Sequence, residues 1–332
     1  MKLNCIVLGG GGFIGTNLCR RLLADSHRVR AFGRRRSFPD ALDGVEWIEG
    51  DFSDSRALAN AIGTCDVVYH LANSATPLSA NLDMADDIQR NVTGTLSMLD
   101  ICRKLGVSRV VFVSSGGTIY GSPKQVPTPE TALTDPITAY GISRLAVEKY
   151  LALNHHLHRL EYRILRVSNP YGPFQTPARN QGIVAALVSR AFSGEPIEIW
   201  GDGSVVRDFI FIDDVVDALI AAATDQGDTR LFNIGSGEGR SLREVISTIE
   251  ELSGRKIRLQ VKPARSIDVP VSVLAIDRAR EFLGWTPKTT FSEGLTKTLA
   301  WWQESSGPET SQPDHAGNPR RDILGYPKRP MA

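Results

Sequence analysis

Hydrophobic positions along the first half of the chain follow two alternating periods. Short runs rich in aliphatic and β-branched residues fall at 4–8, 28–32, 45–49, 66–71, 109–114 and 162–167, with the length and content of strands. Between them, residues 14–24, 55–62, 86–105 and 139–154 repeat apolar side chains at helical spacing, as Ile14, Leu18 and Leu22 do. Strand and helix in regular alternation predict an α/β fold built on a doubly wound parallel sheet with crossover helices. Ligands of such sheets gather at the carboxyl ends of the strands, where Gly9, Gly33, Asp51, Ala72 and Ser115 fall.

The pattern loosens after residue 168. Gly, Pro and Asn collect at 169–182, 201–204 and 235–240, and long loops in a compact domain commonly carry function. The expectation is a first domain over 1–168, with 208–234 returning to it through a strand at 208–212. A smaller, mixed α/β substrate lobe takes 169–207 and 235–303. Residues 304–332, rich in Pro, Gly and charge without periodicity, read as a mobile tail.

Composition narrows the class of partner. The 332 residues are 42% hydrophobic and 23% charged with a net charge of +1, which gives no footprint for nucleic acid or an anionic membrane. No apolar run reaches the ~18 residues a bilayer needs. The chain enters a strand at Leu3 with no signal-type apolar region, so a cytoplasmic location is expected. Cys5, Cys19, Cys65 and Cys102 form no C-x-x-C pair, and buried thiols are expected rather than a metal site. His155, His156 and His158 read as a solvated turn at a helix end.

Candidate chemistry begins at Gly9-Gly10-Gly11-Gly12-Phe13-Ile14-Gly15, directly behind the first strand and opening an amphipathic helix. A turn this tight needs positive φ, and a phosphate reaches backbone amides only where no Cβ intervenes. In that context the spacing of Gly9, Gly12 and Gly15 points to a dinucleotide's pyrophosphate, and the domain to a Rossmann fold. Further along, Tyr140 and Arg144 lie four apart on one helical face. A tyrosine ordinarily ionises near pH ~10, and a cation fixed nearby favours the phenolate, the form that accepts a proton. Ser114, Ser115 and Thr118 supply hydroxyls at the tip of the strand just upstream.

Further segments follow in order as far as about Leu295: His70-Leu71-Ala72, Asn91-Val92-Thr93-Gly94-Thr95, Asn169-Pro170-Tyr171-Gly172-Pro173 and Gly201-Asp202-Gly203. Arg207-Asp208-Phe209, Asn233-Ile234-Gly235-Ser236-Gly237, and Arg265 with Asp268 complete the series. In these segments the chain resembles an extended short-chain dehydrogenase/reductase of the nucleotide-sugar branch, and is most similar to the UDP-glucose 4-epimerases. The resemblance implies that Tyr140 exchanges a proton with a sugar 4-hydroxyl, beside Arg144 and a hydroxyl from Thr118 or Ser115. It implies a tightly bound nicotinamide dinucleotide on Gly9, Gly12, Phe13, Ile14, Gly15, Gly33, Arg34, Arg35, Asp51 and Phe52. Leu71, Ala72, Asn91, Val113, Pro170 and the Tyr140–Arg144 pair complete that set. Arg207 and Arg265 correspond to arginines that clamp the diphosphate of a nucleotide sugar, a task for planar bidentate cations. Asn169, Gln181, Gly182 and Asp268 belong to the same site. A homodimer is implied as well, with helices 86–105 (stripe Ile88, Val92, Leu96, Leu99) and 139–154 pairing as a four-helix bundle.

Three positions depart from the family. Arg144 replaces a lysine, keeping the charge in a bulkier fork. Gly116 stands where the family has its catalytic Ser/Thr. Phe32-Gly33-Arg34-Arg35-Arg36 lacks the acidic residue that ends the second strand, which favours NADP over the family's usual NAD. The leading expectation is NAD(P)-dependent epimerisation at C4 of a UDP-sugar, UDP-glucose/UDP-galactose or the N-acetyl forms, through a transient 4-keto intermediate. An NADP(H)-dependent reductase of a nucleotide-linked 4-keto sugar is the alternative, and a non-catalytic dinucleotide-binding protein the third. A dehydratase would need a carboxylate pair after Ser115, where Gly116 and Gly117 stand.

Overall fold

The computed structural model describes residues 2–177, 182–263 and 269–305. Over these the chain forms β1 (Asn4–Leu8), β2 (Arg28–Gly33), β3 (Glu46–Glu49), β4 (Val67–His70), β5 (Arg109–Ser115) and β6 (Glu161–Val167). There follow β7 (Asn169–Tyr171), β8 (Ile197–Trp200), β9 (Val206–Phe211), β10 (Leu231–Ile234), β11 (Gly239–Ser241), β12 (Leu259–Lys262) and β13 (Val271–Ser272).

A seven-stranded sheet has the order β10-β6-β5-β4-β1-β2-β3, every pair parallel. Chain order reverses between β1 and β4, which opens a crevice at their carboxyl ends. Side chains alternate between the faces. Cys5 and Val7 join a core with Leu18, Leu22, Val215 and Leu219, while Ile6 and Leu8 join the opposite core with Leu58, Met98 and Leu151. Helices thus cover both faces, and β4 is buried along its whole length.

In the second half, β9 pairs antiparallel with β11 and parallel with β7 and β13. The strand expected at 208–212 therefore does not return to the first sheet. The return comes one element later, through the helix Ile212–Thr224 and through β10, which pairs with β6. Asp208 explains the difference. Its buried carboxylate accepts the amides of Ser236 (2.7 Å) and Leu274 (3.2 Å) and the Ser236 hydroxyl (2.7 Å), tying β9 to the second lobe.

The helix expected at 86–105 is divided into Met84–Asp87, a π-helical turn Ile88–Thr93, and Gly94–Leu105. Thr95 donates its hydroxyl to the Asn91 carbonyl at 2.6 Å across the end of that turn. The wider turn breaks up the apolar stripe: Ile88 is exposed, whereas Val92 and Leu99 are buried in the core. The following helix runs Ala139–His158, so His155, His156 and His158 form its last turn and not a loop beyond it. Glu304 belongs to the helix Phe291–Ser305, and the tail from 306 lies outside the described residues. Among the described residues, no helix is long and apolar enough to cross a membrane.

Candidate active site

The glycine turn sits at the crevice and its glycines have separate reasons to be there. Gly9 has φ +87°, and a Cβ on it would come within 2.9 Å of the Ala72 amide nitrogen. On Gly15 a Cβ would stand 2.3 Å from the Gly9 carbonyl oxygen, so helix and strand meet without side chains between them. Gly12 caps the helix Phe13–Ala24 with no side-chain bond to its amides, and a Cβ there would meet only the Gly9 oxygen at 3.4 Å. This open backbone cradle at a helix N-terminus fits a dinucleotide pyrophosphate. The turn after β2 lies close over it, since a Cβ on Gly11 would collide with the Arg35 carbonyl.

Arg34, Arg35 and Arg36 are exposed beyond Gly33. Arg34 Nη1 is 4.0 Å from Asp51 Oδ2, and the Asp51 carboxyl is held below the usual range mainly by hydrogen bonds from Ser53, with Arg34 adding to it. Phe52 stacks on His70 at 5.1 Å. His70, at the end of β4, is buried, and burial with the Arg144 charge pushes its ionisation down to about 3. Its Nε2 meets Thr95 Oγ1 at 2.8 Å; because that hydroxyl donates to Asn91, the imidazole is the donor and carries its proton on Nε2.

Tyr140 and Arg144 enter from the helix Ala139–His158. Thr138 caps it by accepting the Gly141 amide (3.2 Å), and Asn81 accepts the Ala139 amide (2.8 Å). The buried Arg144 guanidinium stands 5.1 Å from the Tyr140 ring centroid and 5.3 Å from that of Phe112, and donates to the Val113 carbonyl at 3.3 Å. The two side chains are thus in contact at the end of β5. Beside it, Thr118 Oγ1 is buried with no hydrogen-bond partner among the described residues. At Gly116 a Cβ would stand 2.5 Å from Leu274 Cδ1 and 3.1 Å from the Arg166 carbonyl, so Leu274 fills the space a hydroxyl-bearing residue would need.

Two cavities share Arg207, and the first also takes in Thr118 and Thr138. One of about 130 Å³ is lined by Gly117, Thr118, Gly121, Ile137, Thr138, Arg207, Val269 and Ser272. The other, about 290 Å³, is bounded mostly by apolar groups of Ile183, Ile199, Trp200, Val205, Phe209 and Leu242, with Glu198 and Arg207. Arg207 therefore stands between them, braced by hydrogen bonds to the carbonyls of Val206 (2.9 Å) and Val269 (2.7 Å). Asn169 uses its amide nitrogen to tie β7 to β9 through the Asp208 carbonyl (2.9 Å). Gly182, at φ +83°, starts the helix Ile183–Ser193. Gln181, Arg265 and Asp268 lie outside the described residues.

Sequence reasoning missed the buried ion pair that ties the Tyr140 helix to the sheet. Glu148, one turn beyond Arg144, is buried and accepts Arg166 through both oxygens (3.0 and 2.6 Å) and the Ser114 hydroxyl (2.6 Å). The spacing Tyr140, Arg144, Glu148 was the available signal.

A parallel sheet that opens its crevice on a glycine cradle, with a tyrosine–cation pair beside it and a two-chambered second lobe, defines a dinucleotide-dependent protein of the Rossmann type. The family model described as NAD dependent epimerase/dehydratase family matches residues 5–235, and the chain belongs to that family. It is 34% identical over 313 residues to the UDP-glucose 4-epimerase of Mycolicibacterium smegmatis, a match covering 92% of this chain and 100% of that one. Among solved structures, the UDP-glucose 4-epimerase of Thermotoga maritima with UDP-glucose superposes with a TM-score of 0.87 at 34% identity, over 91% of this chain and 99% of that one. The UDP-glucose 4-epimerase of Thermus thermophilus in complex with NAD gives 0.84 at 31% identity, over 90% and 99%.

Proposed function

We propose that the chain is an NAD(P)-dependent epimerase inverting C4 of a UDP-sugar, UDP-glucose/UDP-galactose or the N-acetyl forms, through a transient 4-keto sugar. The observation that carries this reading is the continuity of the site. Thr118 and Thr138 line the smaller cavity, Thr138 caps the helix that carries Tyr140 and Arg144, and Arg207 lines both the smaller cavity and the apolar chamber. A dinucleotide held by its pyrophosphate on the Gly9–Gly15 cradle would supply, through its nicotinamide, the acceptor and the later donor of the C4 hydride. Tyr140 accepts the 4-hydroxyl proton as C4 is oxidised and gives it back as C4 is reduced on the other face, so nothing is consumed. Thr118 hydrogen-bonds the 4-oxygen in place of a residue at 116. Arg207 holds the diphosphate while the keto sugar turns over, and the nucleoside packs against Trp200, Phe209 and Leu242.

In this reading residues 1–168 with 212–234 hold the dinucleotide, and 169–211 with 235–303 hold the sugar nucleotide. The exposed Arg34 and Arg35 support acceptance of a 2′-phosphate and hence NADP. Ile142, Tyr150, Leu153 and Leu157 leave an exposed apolar stripe on the Tyr140 helix, with Met84 and Ile88 exposed on its neighbour. These support a homodimer through a four-helix bundle. Four buried free cysteines fit a cytoplasmic location.

The test is to incubate the purified protein with UDP-glucose and separately with UDP-N-acetylglucosamine. Epimerisation brings each to equilibrium with its C4 epimer at constant nicotinamide absorbance. The exposed arginine turn favours one second reading, a reductase; that enzyme would instead consume NADPH when offered a nucleotide-linked 4-keto sugar and leave UDP-glucose unchanged.

A further inference from the structure

Asp87 is only 2% exposed, yet it faces no lysine or arginine within ion-pair distance among the described residues. Its two oxygens have separate donors. Oδ2 accepts the hydroxyl of Ser143 at 2.5 Å, and Oδ1 accepts the amide nitrogen of Asn91 at 2.8 Å. Ser143 lies on the helix of Tyr140 and Arg144, between those two residues, and is itself buried. Asn91 lies in the π-turn, and its remaining oxygen accepts both the amide (3.2 Å) and the hydroxyl (3.3 Å) of Ser74, two residues past Ala72 at the end of β4. A buried carboxylate without a cation is a poor device for stability alone, because an apolar pair of similar size avoids its desolvation. π-Turns, in turn, cluster at functional sites.

We propose that Asp87 is a positioning residue: through Ser143 and Asn91 it fixes Tyr140 and Arg144 relative to the Ala72–Ser74 segment on the cofactor side. The inference rests on the proposed roles of Tyr140 and Arg144. Ser143→Ala removes the hydroxyl outright. Asp87→Asn leaves one acceptor oxygen where two donors converge. Each is expected to lower kcat on the order of tenfold to a hundredfold, the scale of a small misplacement of reacting groups, with KM for the UDP-sugar within about twofold. The double variant should be no worse than the weaker single, since both break one linkage.

Hydrogen exchange of the cofactor-free protein supplies a readout independent of turnover. The Ser74 amide should exchange faster in Ser143→Ala, although the bond lost is the one between Ser143 and Asp87, while amides at 151–158 at the far end of the helix are unchanged. If Tyr140→Phe is inactive but both variants keep full kcat, the positioning role is overturned and the proposed reaction stands. If the wild type inverts no UDP-sugar, the proposed reaction fails and exchange alone decides, an unchanged Ser74 amide overturning the linkage. Loss of kcat together with a general rise in exchange along the helix would also overturn it, by making Asp87 a merely structural residue.

Discussion

Gly12 and Gly15 are three residues apart in the same turn, and their replacement by alanine should have opposite consequences. On Gly15 the new Cβ would lie 2.3 Å from the Gly9 oxygen and 2.7 Å from the Gly10 Cα. Carbon–carbonyl contacts ordinarily sit at about 3.3–3.6 Å, so the methyl is short of room by about an ångström, against backbone that has no rotamer to change. Overpacking of this kind costs about 1–3 kcal/mol, a few degrees of Tm in a chain of this size. On Gly12 the same methyl meets only the Gly9 oxygen at 3.4 Å. Stability should stay within about 1 kcal/mol, the scale of an N-cap change. The methyl would, however, stand where a pyrophosphate approaches the helix amides, and dinucleotide affinity should fall by about tenfold or more, about 1.4 kcal/mol. Thermal unfolding of the cofactor-free variants and calorimetric titration with NAD and NADP separate the two effects. Wild-type affinity in Gly12→Ala would refute the cradle, and an unchanged Tm in Gly15→Ala would refute the close packing of helix on strand.

Other consequences concern single groups. His70 is protonated less readily folded (about 3) than in its ordinary state (6.5), so the unfolded chain binds more protons between those values. Stability should therefore be intact above pH 6.5 and fall as pH drops toward about 3, by about 1.4 kcal/mol per unit. Urea unfolding at pH 7 and pH 5 should show the decline, and a His70→Gln variant should flatten it; equal slopes would contradict the assignment. Replacing Arg34 and Arg35 together by alanine should weaken NADP binding by about 2 kcal/mol and leave NAD little changed; equal loss for both would make them solvated charge. Arg207→Ala should weaken UDP binding by at least about tenfold without altering dinucleotide affinity, and unchanged UDP affinity would remove it from the diphosphate.

Much of the cofactor side was legible because its signals are local. The glycine spacing, the strand before it and the helix after it lie within one short segment, and Tyr140 and Arg144 are neighbours by helical geometry alone. The parts that escaped depend on distant residues. Whether β9 joins the first sheet or the second is decided by Asp208 bonding Ser236 and Leu274, far along the chain. That a side chain at 116 would crowd Leu274 depends on a residue far along the chain. The π-turn that divides the helix at 86–105 is a local change of hydrogen bonding that a hydrophobic period does not register. Arg207 was matched by resemblance, but its place between two cavities comes from the pairing of β9 with β13.

In the proposed reaction Tyr140 serves a C4 that is oxidised and reduced again within one site. A UDP-glucose deuterated at C4, incubated with the protein and analysed by mass spectrometry and NMR, tests it most directly. The expected result is conversion to the C4 epimer with the deuterium still on C4, no net change in nicotinamide absorbance, and no conversion in Tyr140→Phe. Full turnover in Tyr140→Phe, or an epimer whose C4 label has been lost to solvent, would contradict it.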